Sequence, residues 1–202
     1  EFGWSNPVEQ VDWDMCVGLL GRHGMVLPTE AQWEYGCRAG TTTPWVCALE
    51  DLVRYANVAD ATAKRAAPSW TCEEWSDGHV VHAPVGSFLP EAMGLFYANG
   101  NVWEWCRDLD GNYGSERPRD GLRSQTASSH PVNRGGSFSH TAIYARSAFR
   151  LNYAPTFRNS NLGVRVAGEP PESLSLRDEG DRAFERSRAT AKTKLEALVE
   201  EA

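Results

Sequence analysis

Cysteine is missing from residues 107–202: the five present, Cys16, Cys37, Cys47, Cys72 and Cys106, all lie in the first 106 of 202 residues. An odd count excludes complete internal pairing. No C-x-x-C spacing occurs, so neither a zinc ribbon nor a thioredoxin-type redox site is supported. Tryptophan shows the same bias, with all 8 at or before Trp105. No run approaches the roughly 18 apolar residues of a membrane span. Basic charge is not in excess either: 20 Lys+Arg face 27 Asp+Glu, a formal net charge of -7. That argues against nucleic acid as the main partner, while leaving room for a local basic patch. There is no internal repeat. Glu1 stands first with no charged-then-apolar leader after it, so the chain reads as processed or as a fragment, and its compartment is left open.

What is present is ordinary in bulk, 41% apolar and 23% charged, and fits one soluble domain with a tail. With 18 glycines and 11 prolines, the fold should be loop-rich. Trp13, Cys16, Val17 and Leu20 share one helical face, with Asp12 as N-cap and Gly21 as stop. A short strand is expected from Met25 to Leu27. Thr29 and Gln32 have capping-box spacing, which predicts a helix running to about Arg38. Residues 44–133 have little periodicity, and so long a connection needs pins, for which tryptophans and metal ions are the candidates. Strand-like pieces return at Arg134 to Phe138, Ala145 to Leu151 and Gly163 to Ala167, reading as a closing antiparallel meander. After Gly168, Glu169-Pro170-Pro171 reads as a linker and the remainder as a charged, helix-prone tail. The expected division is therefore a domain over 1–168 and a linker and tail over 169–202, the tail being a solvated helix or frayed tail, or else a coiled-coil or partner-docking helix.

Four segments occur in one order: Leu27-Pro28-Thr29-Glu30-Ala31-Gln32-Trp33-Glu34-Tyr35, Gly100-Asn101-Val102-Trp103-Glu104-Trp105, Arg134-Gly135-Gly136-Ser137-Phe138 and Asn161-Leu162-Gly163-Val164-Arg165. Together they closely resemble the formylglycine-generating enzyme, or sulfatase-modifying factor, family. Cys37-Arg38-Ala39-Gly40-Thr41-Thr42-Thr43-Pro44 and Ala145-Arg146-Ser147-Ala148-Phe149-Arg150 look like its common bacterial form. The likeness covers roughly residues 7–167 and implies that an N-terminal part of the domain is missing. It implies a C-type-lectin-like α+β fold, loop-rich, with short antiparallel strands and two or three helices. For true members it also implies oxidation of a substrate cysteine to formylglycine by molecular oxygen, with copper held between two cysteines. Soft thiolates do select Cu(I). The positions that the resemblance assigns to that pair hold His140 and Ala145 here, so copper chemistry by that route is not expected.

The resemblance also implies calcium. Asn57, Val58, Asp77 and His79 match a first site, Asn57 and Asp77 through side-chain oxygens and Val58 and His79 through carbonyls. Calcium takes six to eight such oxygens. The alternative is a capped turn at Asn57 and a simple turn at Asp77-Gly78. A second site would use the carbonyls of Gly100 and Val102 with the Glu104 carboxylate, but Tyr97 stands where the family has an oxygen ligand. The alternative for Glu104 is a buried ion pair, with Arg134 or Arg150 as partner. Trp103 and Trp105 read as core, as do Cys37 and Cys106, and His79 and His82 as surface-loop residues.

The reading favoured is a binding module for a peptide, protein or small-molecule ligand. Its site residues are Ser139, His140, Tyr144, Tyr153, Phe157 and Asn159, on two segments expected side by side at one mouth. Arg134, Arg146, Arg150, Arg158 and Arg165 form the frame and are expected to pair internally, because unpaired buried charge is costly. An oxidoreductase of the same family is the alternative, as is a variable ligand-display protein of a diversity-generating retroelement.

Overall fold

The computed structural model describes residues 5–113, 121–123 and 127–168, so the expected linker and tail over 169–202 lie outside the described residues. Helix α1, Trp13–Arg22, begins where Asp12 accepts a hydrogen bond from the Met15 N–H at 2.7 Å. It buries Cys16 and Leu20, leaves Val17 exposed, and ends past Gly21, at the His23 cap. Strand β1, Met25–Val26, leads into α2, Glu30–Arg38. The expected capping box is formed: the Gln32 N–H donates to Thr29 Oγ1 at 3.2 Å, and the Thr29 N–H to Gln32 Oε1 at 2.9 Å.

The stretch without periodicity contains a 3-10 helix, Leu49–Arg54, and a short helix α3, Ala61–Ala66, capped by Asp60. It is pinned by tryptophan. Trp45 and Trp75 pack on a buried group of Leu52, Ala56, Val58, Ala142 and Ala145. Trp45 Nε1 also donates to the Ala142 carbonyl at 2.8 Å.

Strand β2, Trp103–Leu109, is the centre of the molecule. Its side chains alternate across the sheet. Trp103 and Trp105 enter one core group with Cys16, Leu20, Leu27 and Leu162. Cys106 enters the other, with Trp33, Cys37, Ala98 and Val132, and Glu104 points the same way. Strands β3, Pro131–Arg134, β4, Arg150–Asn152, and β5, Leu162–Gly163, complete a four-stranded sheet of order β4-β3-β2-β5. A further strand, β6, Ala167–Gly168, pairs with β1.

The closing segments are therefore not the antiparallel meander expected. β3 stops at Arg134 because Gly135 and Gly136 take φ of 103° and 77°, a turn geometry that ends extended pairing. Ala142–Ala145 is a 3-10 helix, and β5 crosses to the far edge to pair parallel with β2, Trp103 opposite Leu162. Close approach requires glycine at Gly100 and Gly136, among others. A Cβ on Gly100 would lie 2.2 Å from the Asn57 carbonyl oxygen, and one on Gly136 would lie 2.9 Å from Ala145 Cα.

Candidate functional site

The two segments expected at one mouth do meet: Asn161 Nδ2 donates to Ser139 Oγ at 2.9 Å. Behind that contact, Ser137 Oγ lies 2.8 Å from His140 Nδ1, and Ser139 Oγ lies 3.2 Å from the same nitrogen. The His140 carbonyl accepts the Ala59 N–H at 2.9 Å, which fixes the backbone. Its ring stands edge-on to Trp103, with centroids 5.6 Å apart, and to Tyr144 at 5.1 Å; Tyr144 meets Phe149 at 5.0 Å. Burial holds the imidazole below its ordinary value, so at neutral pH it is an uncharged hydrogen-bonding group. Tyr144, 36% exposed, is the outermost ring of this stack.

The other residues expected at the mouth divide. Tyr153 and Phe157 stack on each other, centroids 4.3 Å apart, and pack against the core group around Trp103 and Trp105. They support the mouth from the core side. Asn159 is exposed, its carbonyl accepting the Gln10 and Leu162 N–H groups, both at 3.1 Å.

The Asn57–Asp77 loop holds two anomalies of one kind. Asn57 Oδ1 and Asp77 Oδ2 are both buried without a hydrogen-bond partner. Such oxygens are costly unless something else satisfies them. Asn57 Nδ2 is fully used, donating to the Val81 carbonyl at 2.8 Å and to Asn101 Oδ1 at 3.0 Å, so the amide is oriented with its oxygen free. Asp77 Oδ1 accepts the His79 N–H at 2.7 Å, and the Val58 N–H also steadies the carboxylate. Burial pushes the Asp77 carboxyl up to about 7, and the neighbouring Asp60 adds to the rise. Two orphaned oxygens with Asp60 beside Asp77 are groups of the kind a hard cation takes. Among the described residues no group of three or more His, Cys, Asp or Glu is placed to hold a metal ion, so a cation here would depend on amide and carbonyl oxygens beside Asp77.

The second set does not fit a cation. Both Glu104 oxygens accept from Arg165, Nε to Oε2 and a terminal nitrogen to Oε1, each at 2.7 Å, and Trp33 Nε1 donates to Oε2 at 2.7 Å. A guanidinium thus stands against the carboxylate that was to join the Gly100 and Val102 carbonyls. Nor is the partner Arg134 or Arg150, as expected from sequence. Arg134 bonds Glu34, and Arg150 bonds Glu30 with Nε to Oε1 at 2.8 Å. Tyr97 turns away, its hydroxyl accepting the Ser87 N–H at 2.9 Å.

All five cysteines are free thiols. Burial raises every one: Cys16 and Cys47 to about 11, Cys37 to about 12, Cys106 well above the ordinary thiol value, and Cys72 upward as well. In the metal-free protein none is a ready thiolate.

Few helices, short mixed strands and long tryptophan-pinned loops define an α+β domain of the C-type-lectin-like kind. Residues 4–170 match the sulfatase-modifying factor enzyme 1-like domain, and the chain belongs to that family. It is 32% identical over 179 residues to a formylglycine-generating enzyme of Streptomyces coelicolor, covering 82% of this chain and 53% of the relative. An inactive C-alpha-formylglycine-generating enzyme 2 of Mus musculus is 28% identical over 175 residues, covering 83% of this chain and 52% of the relative. The chain thus spans about half the length of these relatives. The structure of PvdO from Pseudomonas aeruginosa superimposes with a TM-score of 0.70 at 28% identity, covering 82% of this chain and 63% of that one. No helix among the described residues is long and apolar enough to cross a membrane.

Proposed function

We propose that this domain is a binding module for a peptide or small ligand, without the copper redox chemistry of the formylglycine-generating enzymes. The observation that carries the reading is the mouth itself. An exposed Tyr144 stands on a rigid base of His140, Phe149 and Trp103, with the neighbouring loop tied to it through Asn161 and Ser139. Exposed aromatics held by a fixed frame are the usual carriers of binding energy. His140 and Ala145 stand at the proposed positions of the family's thiolate pair. An imidazole and a methyl group packed against Gly136 cannot form a bis-thiolate. A relative named as inactive supports the idea that the family includes members without the reaction. In this reading Ca2+ sits at Asn57, Val58, Asp77 and His79 as a structural ion, closing the loop beside the mouth and taking no part in chemistry.

The test is selection of a displayed random-peptide library on the folded domain. Peptides enriched on the wild type should lose binding to Tyr144→Ala at an unchanged melting temperature. Incubation with Cu(I), oxygen and a peptide carrying a sulfatase-type cysteine motif should leave that cysteine unoxidised. Aldehyde formation seen by mass spectrometry would return the oxidoreductase reading to first place.

A further inference from the structure

Of the five frame arginines, four have carboxylate partners. Arg134 bonds Glu34, Arg150 reaches Glu30 and Asp110, Arg158 holds Asp12 with Nε to Oδ2 at 2.8 Å, and Arg165 holds Glu104. Arg146 is the exception. Its Nε donates to the Ile143 carbonyl at 2.8 Å, and its guanidinium lies 5.7 Å from the centre of the Phe149 ring. These two contacts fix the group in place. Its terminal nitrogens have no acceptor among the described residues.

Arg146 faces a cavity of about 450 Å³ lined by Arg38, Thr42, Thr43, Pro44, Ala148, Phe149 and Arg150, with no carboxylate in the lining. That volume suits a small organic molecule rather than a lone ion. Arg38 and Arg150 are already balanced: Arg38 Nε donates to Glu34 Oε1 at 2.8 Å, and Arg150 is held by Glu30 and Asp110. Arg146 therefore supplies the uncompensated charge of the lining. The opposite wall is fixed, because the Ser147 N–H donates to the Pro44 carbonyl at 2.7 Å and an Arg38 terminal nitrogen to the Thr43 carbonyl at 3.2 Å. Thr43 Oγ1 is used on the Trp45 carbonyl at 2.6 Å, which leaves the Thr42 hydroxyl to face the cavity.

We infer that this cavity binds a small molecule through an oxyanion group, a carboxylate, sulfate or phosphate. The terminal nitrogens of Arg146 form the fork that receives it, and Phe149, Pro44 and Ala148 cover the apolar body. A planar guanidinium with two free donors matches such an oxyanion in bidentate fashion. The site goes beyond the mouth reading and does not depend on it, since it uses none of Ser139, His140 or Tyr144.

The experiment titrates the folded domain, followed by backbone amide NMR shifts of residues 146–150, with sodium phosphate, sulfate and succinate in separate arms. Ionic strength is held constant with sodium chloride. At least one oxyanion should saturate these shifts, and the arm that binds tightest identifies the group. Arg146→Gln should weaken it by about tenfold or more, the expected loss for a charge-assisted pair. Arg146→Lys, which keeps the charge and loses the fork, should fall between. Arg158→Ala, which removes one positive charge outside the lining, should bind the oxyanion as the wild type does. Shifts that track ionic strength alone in every arm, or equal affinity in Arg146→Gln, would overturn the site.

Discussion

Among the described residues Glu30 is the most heavily committed carboxylate, and its removal tests the electrostatic reading of the fold. Its side chain is 2% exposed, and three guanidinium groups converge on it. Arg123 bonds Oε2, Arg150 bonds both oxygens at 2.8 and 2.9 Å, and Arg134 Nε lies 3.5 Å from Oε1. Together with Glu34, Asp108 and Asp110, it balances the charges of Arg38, Arg123, Arg134 and Arg150. Glu30→Ala leaves one positive charge in excess. Arg134 keeps Glu34 and Arg150 keeps Asp110, whereas Arg123, 2% exposed, keeps only Asp108 at 3.9 Å. Breaking a buried pair in this way costs about 3–5 kcal/mol, a large part of the roughly 5–15 kcal/mol that holds a domain folded. At about 2–4 °C per kcal/mol for a chain of this size, the melting temperature should fall by roughly 6–20 °C. Urea unfolding followed by tryptophan fluorescence is the assay. Arg158→Ala is the control: its ion pair with Asp12 has the same chemistry, but the arginine is 50% exposed, so the loss should be under about 1 kcal/mol. The double replacement Glu30→Met with Arg123→Met should recover much of the single-variant loss, since it removes both charges of the pair. A Glu30→Ala variant no less stable than Arg158→Ala would refute the reasoning.

Two further outcomes follow from the site geometry. Calcium at a hundredfold excess over its dissociation constant should stabilise the domain by about 2.7 kcal/mol. Chelator should reverse the gain, and Asp77→Asn should abolish the response; melting curves that ignore calcium would rule the ion out. The His140 imidazole is held below its ordinary value of 6.5 by burial, so the folded state resists protonation more than the unfolded one. Its contribution to stability is full above that value and declines as pH falls below it. His140→Gln should therefore flatten the loss of melting temperature between pH 7.5 and 5; an unchanged slope would assign the acid sensitivity to other groups.

How far the sequence could be read depended on whether the signal was local. The capping box at Thr29 and Gln32 and the N-cap at Asp12 are contacts between residues three apart, and both formed. Trp103 and Trp105 read as core, and both are buried on one side of β2, where period two places them. The short α3 went unread, since six residues rich in alanine carry no apolar stripe and only the Asp60 cap announces the helix. The parallel placement of β5 was equally hidden, because a two-residue strand carries no register of its own.

Ion pairs show the same limit more sharply. Nothing in composition distinguishes Arg134, Arg150 and Arg165 as partners for Glu104, and the choice is made by topology. β3 pairs with β2 so that Arg134 lies directly across from Glu104 in the register, yet its side chain runs to Glu34. Arg165, just past β5, closes on Glu104 from the opposite edge of β2. That geometry leaves Arg146 outside the paired set. The residue follows a 3-10 helix rather than lying in a strand, so no acidic residue is carried opposite it. A regular spacing of arginines in sequence therefore hides two roles. Those placed by the sheet neutralise buried acids and hold the frame, and the one placed by the loop has no carboxylate partner among the described residues.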